Sequence, residues 1–282
     1  MATIKSILYD AKQLIKKTSD TTSLDAEILL AFSLSKTRVF LIAHNETELT
    51  TAEASQYKHL IALRKNGTPV AYITGTQEFW SLPLKVNEHT LIPRPETEQL
   101  VELTLSLVNT SEQIRVLDLG TGSGAIALAL GYERPEWSIS ACDKSAGALK
   151  IANENKQTLQ LTNVQFVQSN WFDSIPPQPL FDVIVSNPPY IPQNDVHLSQ
   201  GDVRFEPMSA LESGQDGLDD IKHIIREAQQ YLKPKGLLLI EHGFDQYEAV
   251  CDALRLALYE NIGTWKDGQG HYRISGGFNP SR

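Results

Sequence analysis

The chain has 282 residues and a formal net charge of −9, and 41% of its residues are hydrophobic. These values are typical of a globular protein, and no stretch reaches the ~20 apolar residues that a membrane-spanning helix needs. The basic residues are scattered, which disfavours direct binding to nucleic acid because a phosphate backbone usually requires a basic face. Two cysteines, Cys142 and Cys251, are too few for a disulfide framework or a metal cluster. With no secretory signal visible, they favour a cytoplasmic protein without a metal site.

Residues 1–75 have a helical pattern. Apolar residues spaced by three and four form one stripe from Ile4 to Ile15 and a second from Leu24 to Phe32. Thr50 or Thr51 precedes a third helix that ends near Asn66-Gly67. This predicts a small helical domain with no catalytic constellation of its own.

Residues 76–90 change to a strand-like pattern. Gln77–Trp80 and Leu84–Val86 flank Ser81-Leu82-Pro83, which predicts a β-hairpin that links two domains.

The stretch Leu91–Glu98 follows the hairpin. Pro95 suits the first turn of a helix, and Glu96 and Glu98 suit the positive end of its dipole. Arg94 is held rigidly between two prolines, so a contact with a ligand or another domain is the alternative to a capped helix start.

Strands and helices alternate from residue 114 onward. The predicted strands are 114–119, 138–142, 164–167, 181–186, 236–240, 262–266 and 271–275, and the predicted helices are 125–130, 146–157, 218–232 and 247–259. This alternation predicts an α/β domain with a doubly wound, mostly parallel sheet.

A glycine-rich loop, Gly120-Thr121-Gly122-Ser123-Gly124, joins the first of these strands to its helix. Its glycines let the backbone approach a ligand, and the helix start offers free N–H groups. Ala125 stands where the dinucleotide fingerprint has its last glycine, so that fingerprint is matched loosely. The spacing instead resembles motif I of the Rossmann-like methyltransferases that bind S-adenosylmethionine.

Two further residues follow strands at positions that suit a nucleoside. Asp143 ends the second strand, about twenty residues after the loop, where a carboxylate reaches ribose hydroxyls. The alternative is a helix cap, although Ser145 is the better cap. Trp171 follows the third strand, where it either covers an adenine or packs in the core.

The tetrapeptide Asn187-Pro188-Pro189-Tyr190 follows the apolar strand 181–186. Two prolines without N–H groups end the strand's hydrogen bonding, so the tetrapeptide lies at a carboxyl end, where open α/β sheets bind ligands. The Asn187 side chain and the Pro188 carbonyl can both accept hydrogen bonds from one –NH2 group, and Tyr190 offers a face for stacking. The alternative is a proline turn with Tyr190 in the core.

Together these motifs resemble the methyltransferases that modify planar nitrogens of DNA adenine, RNA guanine or protein glutamine. Other stretches narrow the resemblance to the HemK/PrmC family of protein glutamine N5-methyltransferases, which modify the Gly-Gly-Gln loop of peptide chain release factors. These stretches are Gly67–Gly75, Glu78–Trp80, Leu91–Glu98, Asp202–Pro207 and Glu241–Gly243. The resemblance implies a helical domain at 1–75, a hairpin linker at 76–90 and a Rossmann-like, seven-stranded methyltransferase domain at 91–282.

The resemblance also implies roles for single residues. The five loop residues Gly120, Thr121, Gly122, Ser123 and Gly124 would hold the methionine end of S-adenosylmethionine. Asp143 would bind its ribose, and Trp171 would contact its adenine, although Asn170 replaces an acidic residue that many relatives carry. Asn187 and Pro188 would grip the substrate amide, and Asn187 would also contact the cofactor. Pro189 and Tyr190 would complete the substrate site, and Asn187, Pro188 and Tyr190 are the expected catalytic residues.

Three alternatives stay open at this point. A ribosomal-protein glutamine methyltransferase would share the cofactor and the chemistry. A nucleic-acid amino-methyltransferase would share the tetrapeptide, but the acidic charge argues against it. A non-enzymatic interaction protein would have to keep the glycine loop, Asp143 and the tetrapeptide without using them.

Overall fold

The computed structural model describes residues 2–108, 113–178 and 180–281, which divide into two compact units. The helical unit contains the chain up to Thr76 together with Ser199–Phe205. The sheet unit contains Gln77–Leu198 and the chain from Glu206 onward. The stretch Ser199–Phe205, which follows the tetrapeptide in sequence, therefore clusters with the helical unit.

The helical unit packs its helices around one apolar core. They are α1 Ile4–Ile15, α2 Thr22–Leu34, α3 Arg38–Ala43, α4 Thr51–Lys65 and α5 Val70–Thr74. Most of the predicted stripe of α1 is buried, but Leu14 is 50% exposed, and Phe32 at the end of the second predicted stripe is 47% exposed. Thr50 caps α4 in a capping box with Glu53. The sequence pattern missed α3 and α5 because helices of five or six residues are too short to show a periodicity.

A buried arginine joins Ser199–Phe205 to the helices of this unit. Arg64 Nε donates to Asp25 Oδ2 at 2.7 Å, and Arg64 Nη1 donates to Asp202 Oδ1 at 2.6 Å. Arg64 and Asp25 are each 5% exposed, so the pair is shielded from water. Removal of one partner from such a pair leaves an uncompensated buried charge.

Arg64→Met is therefore expected to lower the free energy of unfolding by roughly 3 kcal/mol, measured by denaturant titration. Arg38→Met is the matched control, because Arg38 pairs with Glu27 at the surface, where an ion pair contributes less than about 1 kcal/mol. Equal losses in the two variants would contradict a stabilising role for the buried pair.

A hairpin of β1 Thr76–Phe79 and β2 Leu82–Lys85 lies at the start of the sheet unit, which takes it in from Gln77 onward. Its turn is Trp80-Ser81, with φ of 55° and 58°, as tight two-residue hairpins require. The predicted turn at Ser81-Leu82-Pro83 is therefore wrong by one to two residues. Pro83 lies inside β2, where a two-stranded ribbon leaves N–H groups free of partners.

Seven strands form the main sheet in the order β5-β4-β3-β6-β7-β9-β8. They are β3 Arg115–Leu119, β4 Ser138–Asp143, β5 Val164–Gln168, β6 Phe181–Ser186, β7 Leu232–Glu241, β8 Glu260–Lys266 and β9 Tyr272–Phe278. The strands β3 to β7 pair in parallel, whereas β9 is antiparallel to both of its neighbours. The prediction of a seven-stranded, Rossmann-like α/β domain is confirmed.

One helix, α6 Glu98–Leu107, precedes these strands, and four helices follow β3, β4, β6 and β7 in turn. These four are α7 Ala125–Glu133, α8 Ala146–Thr158, α9 Asp219–Ala228 and α10 Tyr247–Leu256. The predicted helix 218–232 was too long, because Leu232 already pairs with Phe181 as the first residue of β7. The register of β6 and β7 shifts between the pair Phe181–Leu232 and the pair Val183–Leu237. This shift accommodates the residues of β7 that lie between Leu232 and Leu237.

One buried amide ties the hairpin to the glycine loop. Asn155 of α8 is 1% exposed; its Oδ1 accepts from Lys85 N at 2.7 Å. Its Nδ2 donates to Lys85 O at 3.0 Å and to Ser123 O at 2.9 Å. The hairpin, α8 and the loop are thus held by the same side chain.

Candidate active site

The strand order places a crevice at the carboxyl ends of β3, β4 and β6. The chain leaves β3 for β4 and β5 on one side and then returns to pair β6 with the other side of β3. Parallel sheets bind ligands at such reversals. A cavity lies here, at the place where small-molecule sites of such sheets occur.

The glycine loop forms one wall of the cavity. Gly120 and Gly122 line it, and both have positive φ, 73° and 56°. A Cβ atom on Gly120 would lie 3.3 Å from the Trp171 ring, so a side chain at this position would crowd the cavity wall. Thr121 and Ser123 are buried and, with Gly124, are not among the lining residues.

Asp143 does not cap α8, because Ser145 caps this helix by accepting from Ala148 N. Asp143 Oδ2 accepts from Gly122 N at 2.9 Å, and Oδ1 accepts from Ser145 N at 2.8 Å. These backbone donors fix the carboxylate in the cavity wall. Each oxygen keeps a further lone pair for a ligand hydroxyl.

Trp171 combines the two roles that the sequence left open. It packs against a core cluster and also lines the cavity. Its Nε1 donates to Asp220 Oδ1 at 3.0 Å, which fixes the ring. Asn170 lines the cavity as well, with its Nδ2 donating to Asp173 Oδ2 at 3.2 Å.

The tetrapeptide is divided between the cavity and the core. Asn187 and Pro189 line the cavity. Pro188 is buried, and Tyr190 packs partly buried against a core cluster, with its carbonyl accepting from Gln246 Nε2 at 2.9 Å. The Asn187 Nδ2 donates to Thr97 Oγ1 at 3.0 Å, which leaves its Oδ1 available as an acceptor.

Several lining residues were not predicted as site residues. They are Glu88, His89, Leu91, Lys144, Ser145, Ser169, Pro207, Ser209 and Ala210. Some of them lie in the stretches that resemble the HemK/PrmC family, but the resemblance implied no role for these residues. Glu88 and His89 belong to a short polar loop that carries no sequence signal for a site.

Arg94 joins two of these loops. It pairs with Glu206 Oε1, and Glu206 Oε2 accepts from Ile92 N at 3.0 Å. The Glu206 side chain is fully buried. Arg94 also precedes a short 3-10 turn, Pro95–Thr97, that leads into α6, so the helix start and an ion-pair contact are both present.

Asp118 is a buried carboxyl beneath the glycine loop. It is 0% exposed, and its Oδ2 accepts from Thr121 Oγ1 at 2.5 Å. Burial raises the pKa of Asp118 to about 7, against the opposing hydrogen bonds from Thr121 and Ala127. Its Oδ1 has no hydrogen-bond partner among the described residues. Asp118 is not among the residues that line the cavity, and its raised pKa results from burial, which no local sequence pattern carries.

Glu241 is a second buried carboxyl, at the end of β7. It is 2% exposed, and burial raises its pKa to about 7. The Thr97 and Asn187 side chains, acting as hydrogen-bond donors, and the charge of Arg273 oppose this rise, whereas Glu96 adds to it. Glu241 therefore belongs to the surroundings of Asn187.

Within the described ranges, no helix is both long enough and apolar enough to span a bilayer. The same part of the chain holds no group of three or more His, Cys, Asp or Glu side chains arranged for a metal ion.

The family of this chain follows from its similarity to known proteins. A family model described as "Methyltransferase domain" matches residues 110–274, and one described as "PrmC N-terminal domain" matches residues 6–75. The "Release factor glutamine methyltransferase" of Salmonella typhimurium is 48% identical, over 93% of this chain and 94% of its own. The protein of the same name from Vibrio cholerae is 47% identical over 97% and 96% of the two chains. The chain belongs to the release factor glutamine methyltransferases.

These comparisons confirm the resemblance to the HemK/PrmC family. They also confirm the prediction that the protein is an enzyme, a methyltransferase. A solved methyltransferase from Pyrococcus furiosus supports the fold alone. It is 18% identical, with a TM-score of 0.54 over 80% of this chain and 99% of its own.

Proposed function

We propose that this enzyme transfers the methyl group of S-adenosylmethionine to the side-chain amide nitrogen of the glutamine in the Gly-Gly-Gln motif of peptide chain release factors. The observation that carries the proposal is Asn187 in the wall of the cavity that Gly120, Gly122 and Asp143 also line. An amide acceptor thus stands beside a nucleoside-type site. The relatives' names supply the substrate class.

The residues of the cavity fit the cofactor. Asp143 would accept hydrogen bonds from the ribose hydroxyls, and Trp171 would contact the adenine. Gly120 and Gly122 would allow the chain to approach the methionine end. Bound there, S-adenosylmethionine would supply an electrophilic methyl group and leave as S-adenosylhomocysteine.

The tetrapeptide would activate and orient the substrate amide. An amide nitrogen is a poor nucleophile because its lone pair is delocalised into the carbonyl. Asn187 Oδ1 and the Pro188 carbonyl would accept its two N–H groups and favour a pyramidal nitrogen whose lone pair faces the methyl group. They would also stabilise the positive charge that grows on the nitrogen, which later loses one proton to solvent. Pro189 and Tyr190 would shape the surrounding substrate site.

The direct test is methyl transfer from labelled S-adenosylmethionine to a purified release factor, beside a copy whose Gly-Gly-Gln glutamine is changed to alanine. Ribosomal proteins, rRNA and DNA serve as parallel acceptors. Label on the intact factor alone is the expected result. Label on a ribosomal protein or a nucleic acid instead would overturn the proposed substrate and leave the cofactor chemistry standing.

Asp143→Ala is expected to raise the Kd for S-adenosylmethionine by roughly 10- to 100-fold, because it removes charge-assisted hydrogen bonds to the ribose. Isothermal titration calorimetry measures this value. Asp173→Ala is the control, since Asp173 accepts from Asn170 rather than from the loop. An unchanged Kd in Asp143→Ala would refute the ribose assignment.

The proposal also implies which proteins the enzyme binds and where in the cell it acts. Release factors would be the protein partners, without direct contact to nucleic acid, and the enzyme would act in the cytoplasm, where translation terminates.

A further inference from the structure

The proposed chemistry requires one of two orientations of the Asn187 amide. A half turn of an asparagine amide exchanges its oxygen and nitrogen with little change in shape. Only the orientation with Oδ1 towards the substrate offers an acceptor. Asn187 Nδ2 donates to Thr97 Oγ1, but a hydroxyl can donate as well as accept. Thr97 alone therefore does not select the orientation.

Glu241 lies beside this pair for a reason of strand register. The parallel strands β6 and β7 pair Ser186 with Ile240, so Asn187 and Glu241 are the next residues at neighbouring carboxyl ends. Thr97 is 4% exposed and Glu241 is 2% exposed, so both lie in the protein interior. Within the described part of the chain, Glu241 Oε2 has no hydrogen-bond partner, and the Thr97 and Asn187 side chains lie close enough to lower the pKa of Glu241 as donors.

An ionised carboxylate accepts hydrogen bonds and cannot donate them. Glu241 therefore draws the Thr97 hydroxyl hydrogen towards itself. The lone pairs of Thr97 Oγ1 are then left for Asn187 Nδ2, and the Asn187 oxygen must face away from Thr97.

We propose that Glu241 and Thr97 are positioning residues that hold the Asn187 amide with its oxygen towards the substrate glutamine. This inference rests on the proposed function. The carboxylate also polarises the Asn187 amide through the N–H groups, so that Oδ1 becomes a stronger acceptor as positive charge develops on the substrate nitrogen.

The arrangement predicts a dependence on pH. The charged and titratable groups around Glu241 are Arg273 on β9, Glu96 in the turn before α6, and Tyr190. A protonated Glu241 can donate to Thr97, which then donates to the Asn187 oxygen and reverses the amide. Because burial raises the pKa of Glu241 to about 7, kcat is expected to fall as the pH drops below 7.

The test compares Thr97→Val, Thr97→Ser and Glu241→Gln with the wild-type enzyme. Each is assayed for kcat and KM on a release factor from pH 5.5 to 9, and for the Kd of S-adenosylmethionine. Thr97→Val keeps the shape and removes the hydroxyl, so kcat is expected to fall at least 10-fold with the cofactor Kd within twofold. Thr97→Ser restores the hydroxyl and is expected to retain kcat within threefold. Glu241→Gln is expected to lower kcat and to remove the loss of activity at acidic pH.

Four results would overturn the inference. Three of them are a Thr97→Val enzyme with kcat within twofold of wild type, a Thr97→Ser enzyme as slow as Thr97→Val, and a Glu241→Gln enzyme that keeps the acidic loss. A fall in kcat that is matched by an equal loss of cofactor affinity would assign these residues a structural role only and would overturn it as well. An inactive wild-type enzyme on release factors would overturn the proposed function itself, which distinguishes the two failures.

Discussion

Asn187→Ala is expected to lower kcat for glutamine methylation by roughly 10³-fold, the cost of removing one preorganised group that stabilises transition-state charge. The Kd for S-adenosylmethionine is expected to stay within about threefold, because the glycine loop and Asp143 do not depend on the Asn187 side chain. Single-turnover kinetics with labelled cofactor measure the first value, and calorimetry measures the second.

Asn153→Ala is the matched control, since Asn153 is exposed on α8, donates to Leu149 O of the same helix and does not line the cavity. Its kcat is expected to stay close to that of the wild type. If Asn187→Ala lost activity and cofactor affinity in equal measure, Asn187 would be a structural residue and not the amide acceptor.

The second large effect concerns the stability of the cofactor-free protein. Burial raises the pKa of Asp118 from 3.8 to about 7 and that of Glu241 from 4.5 to about 7. The folded state then holds protons that the unfolded state releases between about pH 4 and pH 7, so the stability from both groups is fully present below pH 4 and is lost as the pH rises through 7. At about 1.4 kcal/mol per pKa unit, the loss is roughly 4 kcal/mol for Asp118 and 3 kcal/mol for Glu241.

Denaturant titrations at pH 5 and pH 8 measure this loss. Asp118→Asn keeps an acceptor for Thr121 and is expected to remove about half of the difference between the two pH values. Asp252→Asn is the control, because the Asp252 side chain is 68% exposed and its removal should leave the difference unchanged. A wild-type protein that gains stability from pH 5 to pH 8 would contradict the prediction.

The parts of the fold that the sequence predicted are those with a local signal. The strand 181–186 was predicted with its observed bounds because it is mostly apolar and two prolines follow shortly after its end. Asp143 and the glycine loop were predicted as site residues because they lie at the ends of predicted strands. The hairpin turn and the end of α9 were misplaced, since Pro83 inside a strand and the register break in β7 depend on pairing that no window of sequence contains.

The candidate site shows the same division. The residue types and spacing gave Asn187 and Asp143, but not the partners that fix them. Thr97 lies 90 positions before Asn187 in the sequence, and Glu241 reaches the site only through the pairing of β6 with β7. The burial of Asp118 likewise results from the packing of the whole sheet, so its raised pKa had no sequence signal.

Asn155 has a consequence for how the enzyme folds. The Asn155 amide hydrogen-bonds to the backbone N–H and carbonyl of Lys85 and to the carbonyl of Ser123. The hairpin therefore cannot detach without loss of a contact to the glycine loop. Since the chain from Gln77 onward clusters with the sheet unit, we expect the hairpin to unfold together with the sheet. Hydrogen exchange at the Lys85 amide then reports opening of the cofactor loop, which makes that amide a probe of cofactor binding from outside the cavity.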